Sequence, residues 1–204
     1  SLAQIALLLG RRDEALAWQT RAVALSRLLS SHFYDPVAGV FWAQREHRPV
    51  PVLTPFNLLP LWTGGLDSAQ VAATVRHLTA PEAFASPYPL PTVARGHPAF
   101  DPQRAWRGPA WINANYLLVE ALYRAVQITL ARRLADQTIA LVARHADIAE
   151  YYDPETGSVP ATAASGFGWS AALFIDLLLG REAERTLRQA AGSISSTRPT
   201  AATS

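Results

Sequence analysis

The 204-residue sequence contains no cysteine and no methionine, and its eighteen cationic side chains are all arginine because lysine is missing too. Without cysteine there is neither a disulfide framework nor a thiolate metal site. That composition fits a reducing compartment, and a cytoplasmic location is expected. Charged residues make up only 17% of the chain, the formal net charge is +2, and the arginines are scattered. No basic stripe exists for nucleic acid. The first apolar run, Ile5 to Leu9, is too short to span a membrane and lacks a basic segment before it. The five histidines, His32, His47, His77, His97 and His145, show no metal-ligand spacing. Ser165 lacks the Gly-x-Ser-x-Gly surroundings of a nucleophile elbow, and no phosphate loop or dinucleotide glycine pattern occurs. Neither a metal nor a cofactor is expected. Because the chain starts inside what reads as a helix, with no methionine at position 1, the expectation is a fragment of a longer protein.

What is present is a chain that is 50% hydrophobic, enough for one substantial core. Apolar residues from Arg12 to Leu29 recur near a 3.6-residue period, which predicts an amphipathic helix, with Gly10 closing the helix before it. Val40 to Ala43 reads as a short strand. Pro49, Pro51, Pro55 and Pro60 allow at most one helical turn around Phe56 to Leu61, and a helix follows from about Asp67 to Leu78. Residues 79–109 hold seven prolines and two glycines. A structureless stretch of that length is often functional, and Phe84, Tyr88, Leu90, Val93 and Phe100 mark it as a packed covering loop. Helices are predicted over Trp111 to Val126 and Leu130 to His145, with a final pair over Leu173 to Leu179 and Glu182 to Ala191. A flexible tail is expected over 192–204, leaving 1–191 as one domain.

Two hexapeptides echo one another, Tyr34-Asp35-Pro36-Val37-Ala38-Gly39 and Tyr152-Asp153-Pro154-Glu155-Thr156-Gly157. Each follows a long helix and precedes a short extended stretch. A repeated helical hairpin with an equivalent loop points to a toroid of hairpins with a pocket at one end. Asp-Pro-x-x-Gly is also good turn chemistry on its own.

Candidate functional residues cluster in three places. Glu150 is read as standing at the end of a helix, facing the negative end of its dipole, where a stabilising design would place Lys or Arg. Tyr151 and Tyr152 follow directly, within reach of a substrate or of the carboxylate. Trp106-Arg107-Gly108-Pro109-Ala110-Trp111 joins a loop to a helix. Trp faces stack on the C–H faces of sugars, Arg107 offers a planar donor fork, and Gly108 permits close approach of a ligand or of another backbone. A buried Trp pair, with Arg107 bridging carbonyls, is an equally good reading of that segment. Of Asn113 and Asn115, one is expected to face inward. Trp169, after Gly166-Phe167-Gly168, walls a pocket or staples a helix.

Trp106 to Tyr116, Glu150 to Gly157 and Gly166 to Ala171 together resemble glycoside hydrolase family 63, in the bacterial branch that holds the mannosylglycerate and glucosylglycerate hydrolases, with trehalases more distant. Phe56 to Trp62 and Pro87 to Thr92 match in order and approximate spacing. The resemblance implies the C-terminal part of an (α/α)6 barrel, carrying the long Pro-rich loop and short β segments, and an inverting glycosidase for a small gluco- or manno-configured carbohydrate. It implies Glu150 as general base, with Trp106, Arg107, Gly108, Trp111, Tyr152 and Trp169 around the substrate. Two departures accompany it. Ala105 stands where the family often has an aromatic. No position matches the general-acid Asp, which is expected before Ser1, so residues 1–204 alone are expected to be inactive. A glycerate carboxylate would want Arg107, Arg95 or Arg104. A sugar-binding toroid without catalysis is the alternative. Another α-toroid enzyme such as a terpene cyclase would need Asp-rich metal motifs, which are missing.

Overall fold

The computed structural model describes residues 2–196. Its helices are α1 (Leu2–Leu8), α2 (Arg12–Phe33), α3 (Ser68–Arg76), α4 (Ile112–Arg124), α5 (Ile128–Ala143) and α6 (Gly168–Ser196), with 3-10 helices at Pro55–Thr63 and Ala105–Arg107. Three two-residue antiparallel pairs complete it, β1–β2 (Tyr34–Asp35 with Val40–Phe41), β3–β4 (Gln44–Arg45 with Arg48–Pro49) and β5–β6 (Ala110–Trp111 with Tyr151–Tyr152). Among the described residues no helix is long and apolar enough to cross a membrane.

The core forms where two helical periods meet. On α4, Ile112, Asn115, Leu118, Val119 and Leu122 make one buried face, and on α5 Ala131, Leu134, Ala135, Thr138, Leu141 and Val142 make another. Leu118 and Leu122 pack with Leu58 and Leu61 of the first 3-10 helix, Leu134 of α5 and Leu177 of α6. Each such leucine contributes about 1.5–3 kcal/mol by burial. The first 3-10 helix runs nine residues despite Pro60, longer than the single turn expected. Its start is doubly capped by Thr54 and Asn57, and Asn57 Nδ2 also donates to Phe41 O at 2.7 Å.

The 79–109 segment is a packed covering loop. Phe84, Leu90 and Val93 are buried, and Tyr88 and Phe100 are half-buried. Thr92 N–H bonds Pro109 O at 3.2 Å, and Pro91 bridges Ala110, so this loop lies beside β5. Arg95 clamps it: Nε and Nη2 donate to the Glu155 carboxylate at 2.5 and 2.8 Å, and Nη1 donates to Pro81 O and Ala85 O.

The two echoing hexapeptides adopt one turn. Asp35 Oδ1 accepts from Val37 and Ala38 N–H, and Asp153 Oδ1 accepts from Glu155 and Thr156 N–H. Gly39 N–H bonds Asp35 O at 2.7 Å, Gly157 N–H bonds Asp153 O at 2.8 Å, and both glycines have φ of 72°. That left-handed conformation is the reason for glycine at the sixth position.

One expectation about elements is corrected. The predicted final pair of helices is one helix, α6, of 29 residues. Gly180 does not interrupt it, because Arg181 is anchored to Asp136 of α5 at 2.8 Å and to Glu184 one turn on. The helix also runs past Gly192, where the tail was expected to begin; 197–204 lie outside the described residues. Helix α2 forms where its period predicts, and its apolar face is uncovered. Only Ala15 is buried on that helix, while Leu16, Val23, Leu25 and Leu28 are exposed.

Candidate active site

Glu150 is not at a helix end. α5 stops at Ala143, and Glu150 lies in the loop immediately before β6. The helix-dipole argument therefore does not apply to it. Asp147 ends the intervening turn: its Oδ1 accepts Ile148 N–H at 2.7 Å, and its Oδ2 accepts the Ser165 hydroxyl. These bonds hold the exposed Asp147 carboxyl below the ordinary aspartate range, the Ser165 contribution being the largest. Ile148, whose spacing continued the apolar face of α5, packs in the cluster with Ala110, Leu141 and Tyr152 instead.

Glu150 is half-buried and fixed from two sides. Its N–H bonds Ala164 O at 2.8 Å, its Oε2 accepts Ala164 N–H at 3.3 Å, and its carbonyl accepts the Ser170 hydroxyl from the first turn of α6 at 3.3 Å. Oε1 has no hydrogen-bond partner among the described residues. A carboxylate oriented through one oxygen and open at the other is suited to accepting a proton from a water molecule.

The β5–β6 pair brings the two sequence motifs together, with Trp111 opposite Tyr151 and Ala110 opposite Tyr152. Trp111 is only 4% exposed. The Trp106 ring stacks on it at 3.8 Å and 15°, Tyr151 lies at 5.1 Å, and Phe167 meets it edge-on at 6.2 Å. Trp111 Nε1–H bonds Ala105 O at 2.8 Å, which fixes the 3-10 turn that carries Trp106. Trp106 is 44% exposed and Trp169, edge-on to Phe167 at 5.8 Å, is 61% exposed. Trp106 and Trp169 thus present aromatic surface at the two ends of one row, while Trp111 is its buried base.

Three further candidates are placed as follows. Tyr152 is fully buried, because alternation along β6 turns it away from the Trp111 side occupied by Tyr151. Its hydroxyl accepts Ala149 N–H at 3.0 Å, and burial pushes its pKa up. It is a core residue. Gly108 serves backbone packing: a Cβ there would lie 2.5 Å from Asp101 O and 2.9 Å from Pro102 N. Arg107 is exposed, and Nε donates to a single carbonyl, Ala99 O, at 3.3 Å. Of the other two arginines weighed for a carboxylate, Arg95 is saturated by the contacts described above, and Arg104 stands 4.0 Å from Asp101. Asn115 is the inward amide, with Nδ2 donating to Trp111 O at 2.8 Å, whereas Asn113 Oδ1 accepts Ala114 N–H.

Phe56 joins this aromatic row without being marked as a site residue by its sequence context. It is exposed on an otherwise buried turn between Pro55 and Asn57, and its ring stands 6.2 Å from Trp106 at 45°. The sequence signal for it was an aromatic after a Thr-Pro start, indistinguishable from a core residue without the neighbouring contacts. Among the described residues, no group of three or more His, Cys, Asp or Glu could hold a metal ion.

The profile of the mannosylglycerate hydrolase MGH1-like glycoside hydrolase domain matches residues 1–170. A mannosylglycerate hydrolase of Thermus thermophilus is 36% identical over 146 residues, which is 69% of this chain and 33% of that protein. The crystal structure of a family 63 mannosylglycerate hydrolase from Thermus thermophilus in complex with glucose superimposes with a TM-score of 0.72 at 31% identity, over 85% of this chain and 41% of that one. Neutral trehalase from Saccharomyces cerevisiae shares the fold, with a TM-score of 0.62 at 21% identity over 91% of this chain and 35% of that one. The chain thus spans between a third and two-fifths of the length of these relatives. Its fold is the helical toroid that the motifs implied, of which these residues form a part.

Proposed function

Because the chain belongs to the mannosylglycerate hydrolase MGH1-like glycoside hydrolase family, we propose that its residues supply the general base and one aromatic wall of an inverting glycosidase. The substrate in this reading is a small hexosyl conjugate of gluco or manno configuration, such as glucosylglycerate or mannosylglycerate. The observation that carries it is Glu150, a half-buried carboxylate steered by Ala164 N–H and open at Oε1, set beside the Trp106–Trp111–Phe167–Trp169 row.

In this mechanism Glu150 takes a proton from water as the water attacks the anomeric carbon. A carboxylic acid on the opposite side protonates the departing oxygen, and inverting enzymes keep the two groups roughly 6.5–9.5 Å apart to admit that water. The acid lies outside 1–204 in this reading, so these residues alone turn over about 10²–10⁴-fold more slowly than the complete protein. Trp106, Trp169 and Phe56 exclude solvent and pack on the apolar faces of the sugar. Arg107 and Arg104 are the candidates for a glycerate carboxylate, Arg95 being committed to Glu155. Residues 1–191 belong to one catalytic domain, and a bacterial cytoplasmic location fits the lack of cysteine.

The test uses the complete gene product containing residues 1–204, with and without Glu150→Ala. Free hexose is measured from glucosylglycerate, mannosylglycerate, trehalose and short α-glucosides. Release that falls by about 10²–10⁴-fold in the variant is expected, with the β-anomer as first product of an α-linked substrate. Release that survives the substitution would overturn the assignment of Glu150. Sugar binding with no release from any substrate would favour a silent binding module.

A further inference from the structure

Gln103 is an exposed residue of the covering loop with no part in the motifs, yet it ties that loop to two distant segments of the site. Its Nε2 donates to the buried Asp153 carboxylate at 2.5 Å. Its carbonyl accepts the Thr162 hydroxyl at 3.3 Å, and that same hydroxyl accepts from Tyr151 OH at 2.9 Å. Its N–H bonds Asp101 Oδ1 at 3.1 Å, in the turn against which Gly108 is seated.

These bonds close a ring around the carboxylate. From Asp153 the path crosses to Gln103, then to Thr162, and along two residues of chain to Ala164. Ala164 bonds Glu150 through both its N–H and its carbonyl, and the chain from Glu150 returns through Tyr151 to Asp153. Tyr151 OH braces the ring across its middle. Asp153 is the fixed end, being buried and bonded to two N–H groups of its own turn. The opposite end, residues 161–165 except half-buried Ala163, is exposed, and Thr162 is its tether to the covering loop.

We propose that Gln103, acting through Thr162, is a positioning residue that fixes the orientation of the Glu150 carboxylate by closing this ring. The proposal rests on the reading of Glu150 as general base. Gln103 touches no substrate in it. Cutting the ring leaves the helical core untouched, since none of the bonds involves α4 or α5. It removes the covering loop's hold on this segment, leaving Ala164 fixed through Glu150 and its neighbour Ser165 through Asp147, and so loosens the donor that steers Oε2. Misplacing a catalytic group by an ångström is enough to slow chemistry without weakening substrate binding.

The test compares Gln103→Leu, Thr162→Val and Thr162→Ser in the complete gene product. Amide hydrogen exchange at Glu150 and Ala164 is expected to rise about tenfold in the first two, the effect of losing one hydrogen bond. Exchange in α4 stays at the wild-type rate, and Thr162→Ser, which keeps the hydroxyl, restores protection. In hydrolysis, kcat is expected to fall about ten- to a hundredfold in Gln103→Leu and Thr162→Val, with KM changed by less than about twofold. Unchanged exchange at both amides overturns the proposal. So does exchange that rises equally in α4, which would mean general destabilisation, or an unchanged kcat in an enzyme that Glu150→Ala inactivates. If the wild-type protein releases no sugar, the glycosidase reading falls, and the ring stands or falls on the exchange data alone.

Discussion

Tyr152 and Trp106 separate two roles that look alike in the sequence. Both are aromatic members of glycine-rich motifs beside a candidate catalytic residue, but one is buried and the other opens to solvent. Tyr152→Phe removes the acceptor of Ala149 N–H, and leaving that donor unpaired costs about 1–3 kcal/mol. Urea denaturation should show that loss, with affinity for sugar unchanged. Trp106→Ala should do the reverse, because its stacking partner Trp111 keeps its bond to Ala105. Sugar binding followed by tryptophan fluorescence should weaken by at least about tenfold, in line with losing an aromatic platform. Glu150 stands out in the sequence only through the ordered set of motifs that carries the family resemblance, since a carboxylate before two tyrosines is a weak signal alone. Its surroundings were not legible. Ile148 continued the 3.6-residue period of α5, although the helix stops at Ala143 and Ile148 is apolar for a different packing reason.

At the scale of elements, α6 runs unbroken through the gap between the two helices that the sequence predicts. Gly180 lies in that gap, and a Cβ there would meet nothing within 4 Å. Gly180→Ala should therefore stabilise the chain by about 0.5–1 kcal/mol through backbone entropy, seen as a rise in thermal midpoint. What holds this part of α6 in place is long-range pairing that no local pattern reveals. Arg181 donates to Asp136, and Glu184 receives Arg132. Hydrogen bonds from Arg181 hold the Asp136 carboxyl below its ordinary value, and the same contacts push Arg181 higher. A carboxylate depressed in the folded state stabilises the fold above its unfolded value of about 4, and that contribution fades as pH falls lower. Thermal midpoints measured from pH 6 to pH 2 should drop less steeply in Asp136→Asn than in the wild type. The Arg95–Glu155 clamp belongs to the same class of long-range pairing. The sequence marked the covering loop as packed through its apolar residues but gave no sign of which charge held it.

For the whole molecule, the equivalent turns at Asp35 and Asp153 are readable in the sequence, because Tyr-Asp-Pro and the closing Gly recur at the same spacing. Periodicity shows which face of α2 is apolar but not whether anything covers it. Leu2, Ile5, Leu8 and Leu9 of the α1 hairpin, with Leu16, Val23, Leu25 and Leu28, leave a broad apolar surface exposed. Residues 1–204 expressed alone should self-associate. Light scattering should give a mass that grows with concentration, and replacing Leu8 and Leu25 by Glu together should return it to the monomer value. A concentration-independent monomer for the unmodified chain would contradict this.

The stacked pair at Trp106 and Trp111 has a spectroscopic consequence. Two indoles held 3.8 Å apart and 15° from parallel share their excited states, so light absorbed by one is delocalised over both. Held in a chiral frame, such a dimer gives paired bands of opposite sign in circular dichroism, a couplet that neither ring produces alone. The folded pocket therefore carries its own label: the couplet vanishes when either ring is lost, and any ligand that tilts Trp106 rescales it without an added dye.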